Sequence, residues 1–329
     1  MFRPLIALLL MLAPAALHAA CEGSDLRGTL TEAEQAERSR MLTEIPFPAG
    51  NHWRATRGDE VIHLIGTMHL GDQRLDGPVE RLAPLVEGAS TLLLEMTRAD
   101  ETQLQQALAA DPGMLTLKDS SLPDLLPEET WQALAEAARD RGIPAILAAK
   151  FQPWYLSMML ATPPCAMAQL QGKTGLDKRL EDLAEGAGVP TRALESYDTV
   201  FRLFNAEPIE EQLEMLRTGI LDTKTAEDQF ATMFAAYFEE AHADTLVISR
   251  LIARRALPEA PAEVDKMMDE TEAQLLVARN HAWIPVLLEA AEQSEEPVVA
   301  AFGAAHLGGT EGVLNLLADE GFSLTREAF

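Results

Sequence analysis

Hydrophobic and polar positions along the chain follow two different periods. Short apolar runs rich in Val, Ile and Leu alternate with longer stretches in which apolar residues return every three or four positions, the pattern of an α/β protein. "EVIHLIGTMHL" (60–70) and "STLLLEM" (90–96) read as strands, with "PVERLAPLVEGA" between them as a helix. Such a β-α-β unit implies parallel pairing and a right-handed crossover. "LPEETWQALAEAARDRGI" sets Trp131, Leu134, Ala135 and Ala138 on one helical face and stops at Gly142. "IPAILAAK" (143–150) and "VPTRALES" (189–196) read as two further short strands. A last strand, "PVVAAFGAAHL", precedes "GTEGVLNLLADEGF", a helix with Gly321 as its C-cap.

Between these β-rich portions the texture changes. From about 207 to 292 the chain is charged and periodic without strand patterns, interrupted by "LPEAPAE", so it reads as consecutive helices. The expected architecture is a central, mainly parallel β-sheet flanked by helices, in one α/β domain spanning 21–329. An all-helical insertion at about 207–292 comes between the last strands.

The first twenty residues, "MFRPLIALLLMLAPAALHAA", carry one Arg, an apolar run and a small-residue end. This is the layout of a cleaved export signal, too short for a membrane span. No later stretch approaches the roughly 18 uninterrupted apolar residues that a spanning helix needs. An exported chain, periplasmic or extracellular, is expected. Lipid anchoring at Cys21 is the weaker alternative, because His18 stands where a lipobox has an aliphatic residue. The two cysteines, Cys21 and Cys165, read first as one disulfide in an oxidising compartment, and second as a thiolate nucleophile. A net charge of -26 without Lys/Arg clusters argues against nucleic acid and against anionic lipid.

Chemistry enters with a near-repeat: "VIHLIGTMHLG" and "VVAAFGAAHLG" share Val, Gly, His, Leu and Gly at matching positions. His69 and His306 both follow predicted strands, Glu95 closes a third and Glu195 a fourth. Ligands of open parallel sheets collect beyond the carboxyl ends of the strands. Gly66 and Gly303 would let the backbone turn there and leave room for a ligand. Two imidazoles with one or two carboxylates suit a divalent metal, whereas the bland reading makes each histidine a hydrogen-bonded loop residue. His52, His63, His242 and His281 lack the glycine context and are not assigned to a site. Asp177 reads first as a helix N-cap, and Arg279 with Asn280 as a solvated pair on a late helix. If that helix leans over the sheet edge, Arg279 binds a substrate carbonyl or carboxylate instead. The chain has no G-x-S-x-G, G-x-x-x-x-G-K-[ST], G-x-G-x-x-G or H-E-x-x-H motif.

Taken together, the two G-x-x-H motifs, the glutamate closing the strand after the first and the late Arg-Asn pair resemble the TraB/PrgY/GumN family, whose animal relatives are the Tiki proteases. The resemblance runs from "NHWRATRGDEVIHLIGTMHLGD" through "AAKFQPWYLSMMLATPPCAMA", "GLDKRL" and "LESYDTVF" to "ARNHAWIP" and "AFGAAHLGG". It implies a metal-dependent, peptidase-like protein. Gly66 and His69 match the first motif, Gly303 and His306 the second, Glu95 the acidic residue, and Arg279 with Asn280 the polar pair.

The resulting expectation is that His69, Glu95 and His306 hold one divalent metal ion, zinc or manganese, which acidifies a water for attack on a peptide or protein substrate. Glu195 would move the proton, and Arg279 and Asn280 would stabilise the developing oxyanion or fix the substrate. Asp177 is a weaker candidate. The rival is a non-catalytic binding protein for a peptide, haem or other small ligand.

Overall fold

Six strands form one mixed sheet in the computed structural model, which describes residues 21–166, 174–218 and 223–329. The strands are β1 (His52–Arg57), β2 (Glu60–Thr67), β3 (Thr91–Leu94), β4 (Thr191–Ala193), β5 (Val298–Gly303) and β6 (Ser323–Arg326). Their spatial order is β4-β3-β5-β2-β1-β6. β4, β3, β5 and β2 run parallel, and β1 and β6 pair antiparallel on the other side. The α/β class with a mostly parallel, helix-flanked sheet is therefore the observed one.

β5 enters late in the chain yet lies between β3 and β2, where it brings the two G-x-x-H segments side by side. Ile62 pairs with Val298, and the ladder continues to Gly66 opposite Phe302 and Thr67 opposite Gly303. The motif glycines are thus offset by one residue along neighbouring strands.

Side-chain alternation divides the core between the two faces of the sheet. Leu64, Leu93, Ala300 and Phe302 pack with Trp283, Leu287 and Leu314 on one face. Ile65, Leu92, Leu94, Val299 and Ala301 pack with Leu82 and Leu180 on the other. Because both faces are covered, the central strands read in sequence as nearly continuous apolar runs. A third cluster, around Trp131, Leu134, Leu156 and Leu216, lies in the helical portion.

The helix Glu128–Asp140 buries Trp131, Leu134, Ala135 and Ala138, the face expected. Helices Ile209–Thr218, Thr223–Phe238, His242–Ala256, Pro261–Glu272 and Ala278–Glu292 occupy the stretch before β5, and another, Thr199–Ala206, already precedes it. One expected strand is corrected: within "IPAILAAK" residues Ala145–Ala148 form a helical turn. Pro144 provides its N-cap, and Ile146 and Leu147 are 79% and 53% exposed, so the apolar run has no sheet neighbour to pair with.

β1 and β6 were not anticipated. The hairpin from β1 to β2 turns through Gly58-Asp59, with Gly58 at φ 59°, where the absence of a Cβ is useful. Cys21 is joined to Cys165 by a disulfide, the first of the two readings for these residues. The expected export signal falls outside the described residues. Among the described residues no helix is long and apolar enough to cross a membrane.

Candidate active site at the strand ends

Glu95 follows β3 directly, and its carboxylate is tied to the neighbouring strand end. Gly303 N–H donates to Oε1 at 2.6 Å, and Arg279 Nη2 donates to Oε2 at 2.5 Å. A Cβ on residue 303 would stand 3.2 Å from Glu95 Oε1, so glycine permits this close approach. At Gly66 a Cβ would meet Leu307 Cδ1 at 2.6 Å and Ala304 Cβ at 3.0 Å. The room that the two glycines provide is thus occupied by protein. Burial pushes the Glu95 carboxyl up, but the charges of His306, His69 and Arg279 and the Gly303 N–H outweigh it, leaving about 2.

Arg279 lies at the centre of the cluster, 9% exposed, and is not solvated as its default reading had it. Every N–H of its guanidinium has a partner. Nε donates to Glu195 at 3.1 and 3.0 Å, and Nη2 to Glu195 Oε1 at 2.6 Å and to Glu95. Nη1 donates to Leu275 O at 3.2 Å and faces His306 Nε2 at 3.3 Å. Burial opposes the guanidinium charge, but bonding to Glu195 and Glu95 holds its pKa above the ordinary value. Glu195 also accepts from Trp283 Nε1 at 3.2 Å.

His306 is 4% exposed, with Nδ1 2.6 Å from Asn280 Oδ1. Since the amide oxygen only accepts, Nδ1 carries the proton, and Nε2 presents its lone pair to Arg279. Asn280 in turn donates from Nδ2 to Glu311 O at 2.8 Å. Burial first, then the charges of Arg279 and His69, press the imidazole pKa down to about 4 despite Glu95.

His69 stands in the opposite state. Its side chain is 62% exposed, and Nδ1 lies 3.4 Å from Asp177 Oδ2, an ion-pair contact longer than a tight hydrogen bond. The Asp177 carboxylate and the charge of Glu95 raise the imidazole to about 9 against the charge of Arg279. Asp177 is not the N-cap, a position held by Gly175, but sits in the first turn of the helix Leu176–Ala187. The segment before that helix is bound to the first motif by Leu176 N–H donating to Met68 O and by a bridge between Leu70 and Thr174. Asp177 Oδ1 and Thr67 Oγ1 are buried with no hydrogen-bond partner among the described residues.

The residues expected to form a site are thus gathered at the carboxyl ends of β2, β3, β4 and β5. The family model for TraB/PrgY/gumN matches residues 51–326, most of the chain. The chain belongs to the TraB/PrgY/gumN family. No curated protein matches it in sequence.

For a metal, the donor types of this family member are right and their arrangement is not. Two imidazoles and two carboxylates suit zinc or manganese. Yet Glu95 is taken by Gly303 and Arg279, His306 Nε2 faces the guanidinium, and His69 Nδ1 faces Asp177. Among the described residues no three His, Cys, Asp or Glu side chains come together to hold a metal ion. Arg279 supplies the positive charge at the centre instead.

Two contributors to this cluster were not singled out in sequence. Trp283 packs its ring 4.4 Å from that of His306 and lies 4.9 Å from the Arg279 guanidinium carbon. Its signal was helical spacing, since residues 279 and 283 are one turn apart and share a face. Tyr237 donates its hydroxyl to Gly66 O at 3.0 Å, capping the end of β2. Nothing local in "AAYFEE" marked it.

Proposed function

We propose that this TraB/PrgY/gumN-family chain is an exported hydrolase that cleaves a peptide or other amide bond at the strand-end cluster, with His69 and Asp177 as its acid–base pair. One observation supports this reading above the others: His69 combines an accessible ring with a carboxylate partner, while Arg279, Asn280, Glu95, Glu195 and His306 have their polar atoms engaged by protein. Asp177 would orient Nδ1–H, leaving Nε2 for a water. With its pKa at about 9 the ring is mostly protonated at neutral pH, so its neutral form, dominant above about 9, would take the proton as that water attacks the carbonyl and return it to the departing nitrogen, with Asp177 stabilising the imidazolium between the two steps and cleavage rising with pH towards 9.

In this proposal Arg279 and Asn280 are positioning residues and not oxyanion donors, because the Arg279 N–H groups all have protein partners and Asn280 Nδ2 already donates to Glu311 O. Glu195, bound to Arg279 and Trp283, holds the guanidinium and does not move protons. A divalent metal, zinc or manganese, stays in the proposal on the resemblance alone. Its chemistry would be to acidify a water, and its binding would require Arg279 to release Glu95 and His306. Export is supported by the disulfide, which suits an oxidising compartment.

Digestion of a mixed peptide library, read by mass spectrometry with and without added zinc or manganese, tests the reading. Wild-type protein is expected to give defined cleavage products, and Asp177→Asn to give them at least about a hundredfold more slowly. An absence of products in every metal condition would remove the hydrolase reading in favour of a binding protein for a peptide, haem or other small ligand.

A further inference from the structure

The segment Glu327–Phe329, which follows β6, lies against the start of β1. Glu327 N–H donates to His52 O at 2.9 Å, and Ala328 O accepts from His52 Nδ1 at 2.8 Å. The Phe329 ring then meets that of Tyr237, nearly perpendicular and with centroids 5.9 Å apart. Tyr237 is bonded in turn to Asn51, whose Nδ2 donates to Tyr237 O at 2.9 Å. These two residues grip Gly66 from both sides: its N–H donates to Asn51 O at 2.7 Å, and its carbonyl accepts from the Tyr237 hydroxyl. The segment therefore ends on the pair that fixes the first G-x-x-H motif.

Two buried imidazoles lie where the segment is held. His52 and His63 are 4% and 7% exposed and in contact with each other. Because a carbonyl oxygen only accepts, His52 Nδ1 carries its proton, and His52 Nε2 accepts from His63 Nδ1 at 3.1 Å. Both nitrogens of His52 are thus engaged, and the lone pair left in this chain of bonds is on His63 Nε2. A proton added there makes a cation beside a second imidazole, in a setting poor in water. The charges that face the two rings are Arg54 on β1, Glu240 in the turn before the helix His242–Ala256, and Glu327 in the segment itself. Arg54 pairs with Glu327 at 3.1 Å and Arg326 with Glu240 at 3.2 Å, both partly exposed and so weak holds on the segment.

We propose that Glu327–Phe329 is an acid-released strap: protonation of the His52–His63 pair favours a form in which the segment has left His52 and Phe329 has left Tyr237. Lifting the segment lets water reach both rings, so the released form takes a proton more readily than the docked one. Burial and then His52 keep the docked His63 at about 4, whereas a hydrated imidazole has about 6.5. Between those values the released form binds the proton and the docked form does not. Docking is therefore fully favoured above about 6.5 and weakens as pH falls towards 4. In the released form Tyr237 loses its aromatic neighbour, and the hold on Gly66 loosens with it. The strap is independent of hydrolysis at His69.

Hydrogen–deuterium exchange of the Glu327 amide, read by NMR and corrected for the intrinsic pH dependence of exchange, tests the proposal in the full chain. Its protection is expected to fall at least about thirtyfold from pH 7.5 to 5, while the Leu64 amide in β2 stays far better protected. The fall should shrink in His63→Gln and vanish in the double variant His52→Gln/His63→Gln, with folding checked by circular dichroism. Phe329→Ala, which leaves both rings in place, should lower the protection at pH 7.5 and keep its pH dependence. Wild-type protection that does not change with pH would overturn the strap, as would an undiminished fall in the folded double variant. Equal protection of Glu327 and Leu64, falling together, would mean that the whole fold opens and would overturn it too. Phe329→Ala as well protected as wild type would remove the aromatic contact from the docked form and overturn the link to Tyr237. Peptide cleavage plays no part in these readouts, so failure here leaves the hydrolase reading standing, and the reverse also holds.

Discussion

At the residue scale, Arg279 decides how the strand-end cluster is organised. Its guanidinium balances two largely buried carboxylates and faces a neutral imidazole, so removing it strands charge in a poorly solvated setting. Arg279→Met is expected to cost about 3–5 kcal/mol of stability, read as a lower urea midpoint. Adding Glu95→Gln and Glu195→Gln to that variant should recover part of the loss. A single Arg279→Met variant as stable as wild type would contradict the clamp. A second residue-scale expectation concerns His63, whose Nδ1 lies 3.1 Å from His52 Nε2 and whose pKa falls to about 4, first through burial and then through His52. Its unfolded value is about 6.5, so between about 6.5 and 4 the unfolded chain binds the proton and the folded chain does not. The stability due to its neutral form is thus fully present above about 6.5 and is lost as pH falls through 4. Melting temperatures measured from pH 7 down to 4 should decline, less steeply in His63→Gln.

At the scale of elements, the contact between the end of β2 and the turn after β5 joins the two motifs. Gly66→Ala would drive a methyl against Leu307 and Ala304, an overpacking worth about 1–3 kcal/mol. A thermal melt reads the loss, and shortening Leu307 to Ala should relieve the crowding, so that the double variant is less unstable than the sum of the two singles. Much at this scale was legible in the chain itself. The central strands and the helix bearing Trp131 carry their own periodicity, and the paired G-x-x-H segments did fall on neighbouring parallel strands. The residues of "IPAILAAK" misled because a short apolar run has the same pattern whether or not a partner strand lies beside it. β1 was missed although Gly58-Asp59 before "EVIHL" is a hairpin signal, because "HWRATR" alternates with charged residues. Asp177 was misplaced as a cap because helix spacing alone does not reveal that Gly175 must sit tightly against Met68 and His69.

At the scale of the whole molecule, distant parts of the chain are held by links that no local pattern could announce. The Cys21–Cys165 bridge spans 144 positions, and Arg38 reaches Asp244 on the helix His242–Ala256 at 2.5 Å. Reduction of the disulfide is expected to lower the guanidinium midpoint by the equivalent of about 2–5 kcal/mol, and the Cys21→Ser and Cys165→Ser variants should each match the reduced protein. An unchanged midpoint would mean that the N-terminal segment contributes nothing to the cooperative unit. The burial of Arg279 and Asn280 was likewise beyond the reach of the sequence pattern: a helix with polar residues at these positions reads as solvated until the sheet edge beneath it is known.

The proposed chemistry at the strand ends passes through His69, the accessible member of a cluster otherwise fixed by protein contacts. The rate at which purified His69→Gln cleaves the best wild-type peptide, measured beside a thermal melt, tests it most directly. The expected result is a folded variant with a melting temperature close to that of wild type and a rate lower by about 10²–10⁴. A folded His69→Gln that cleaves at the wild-type rate would contradict it.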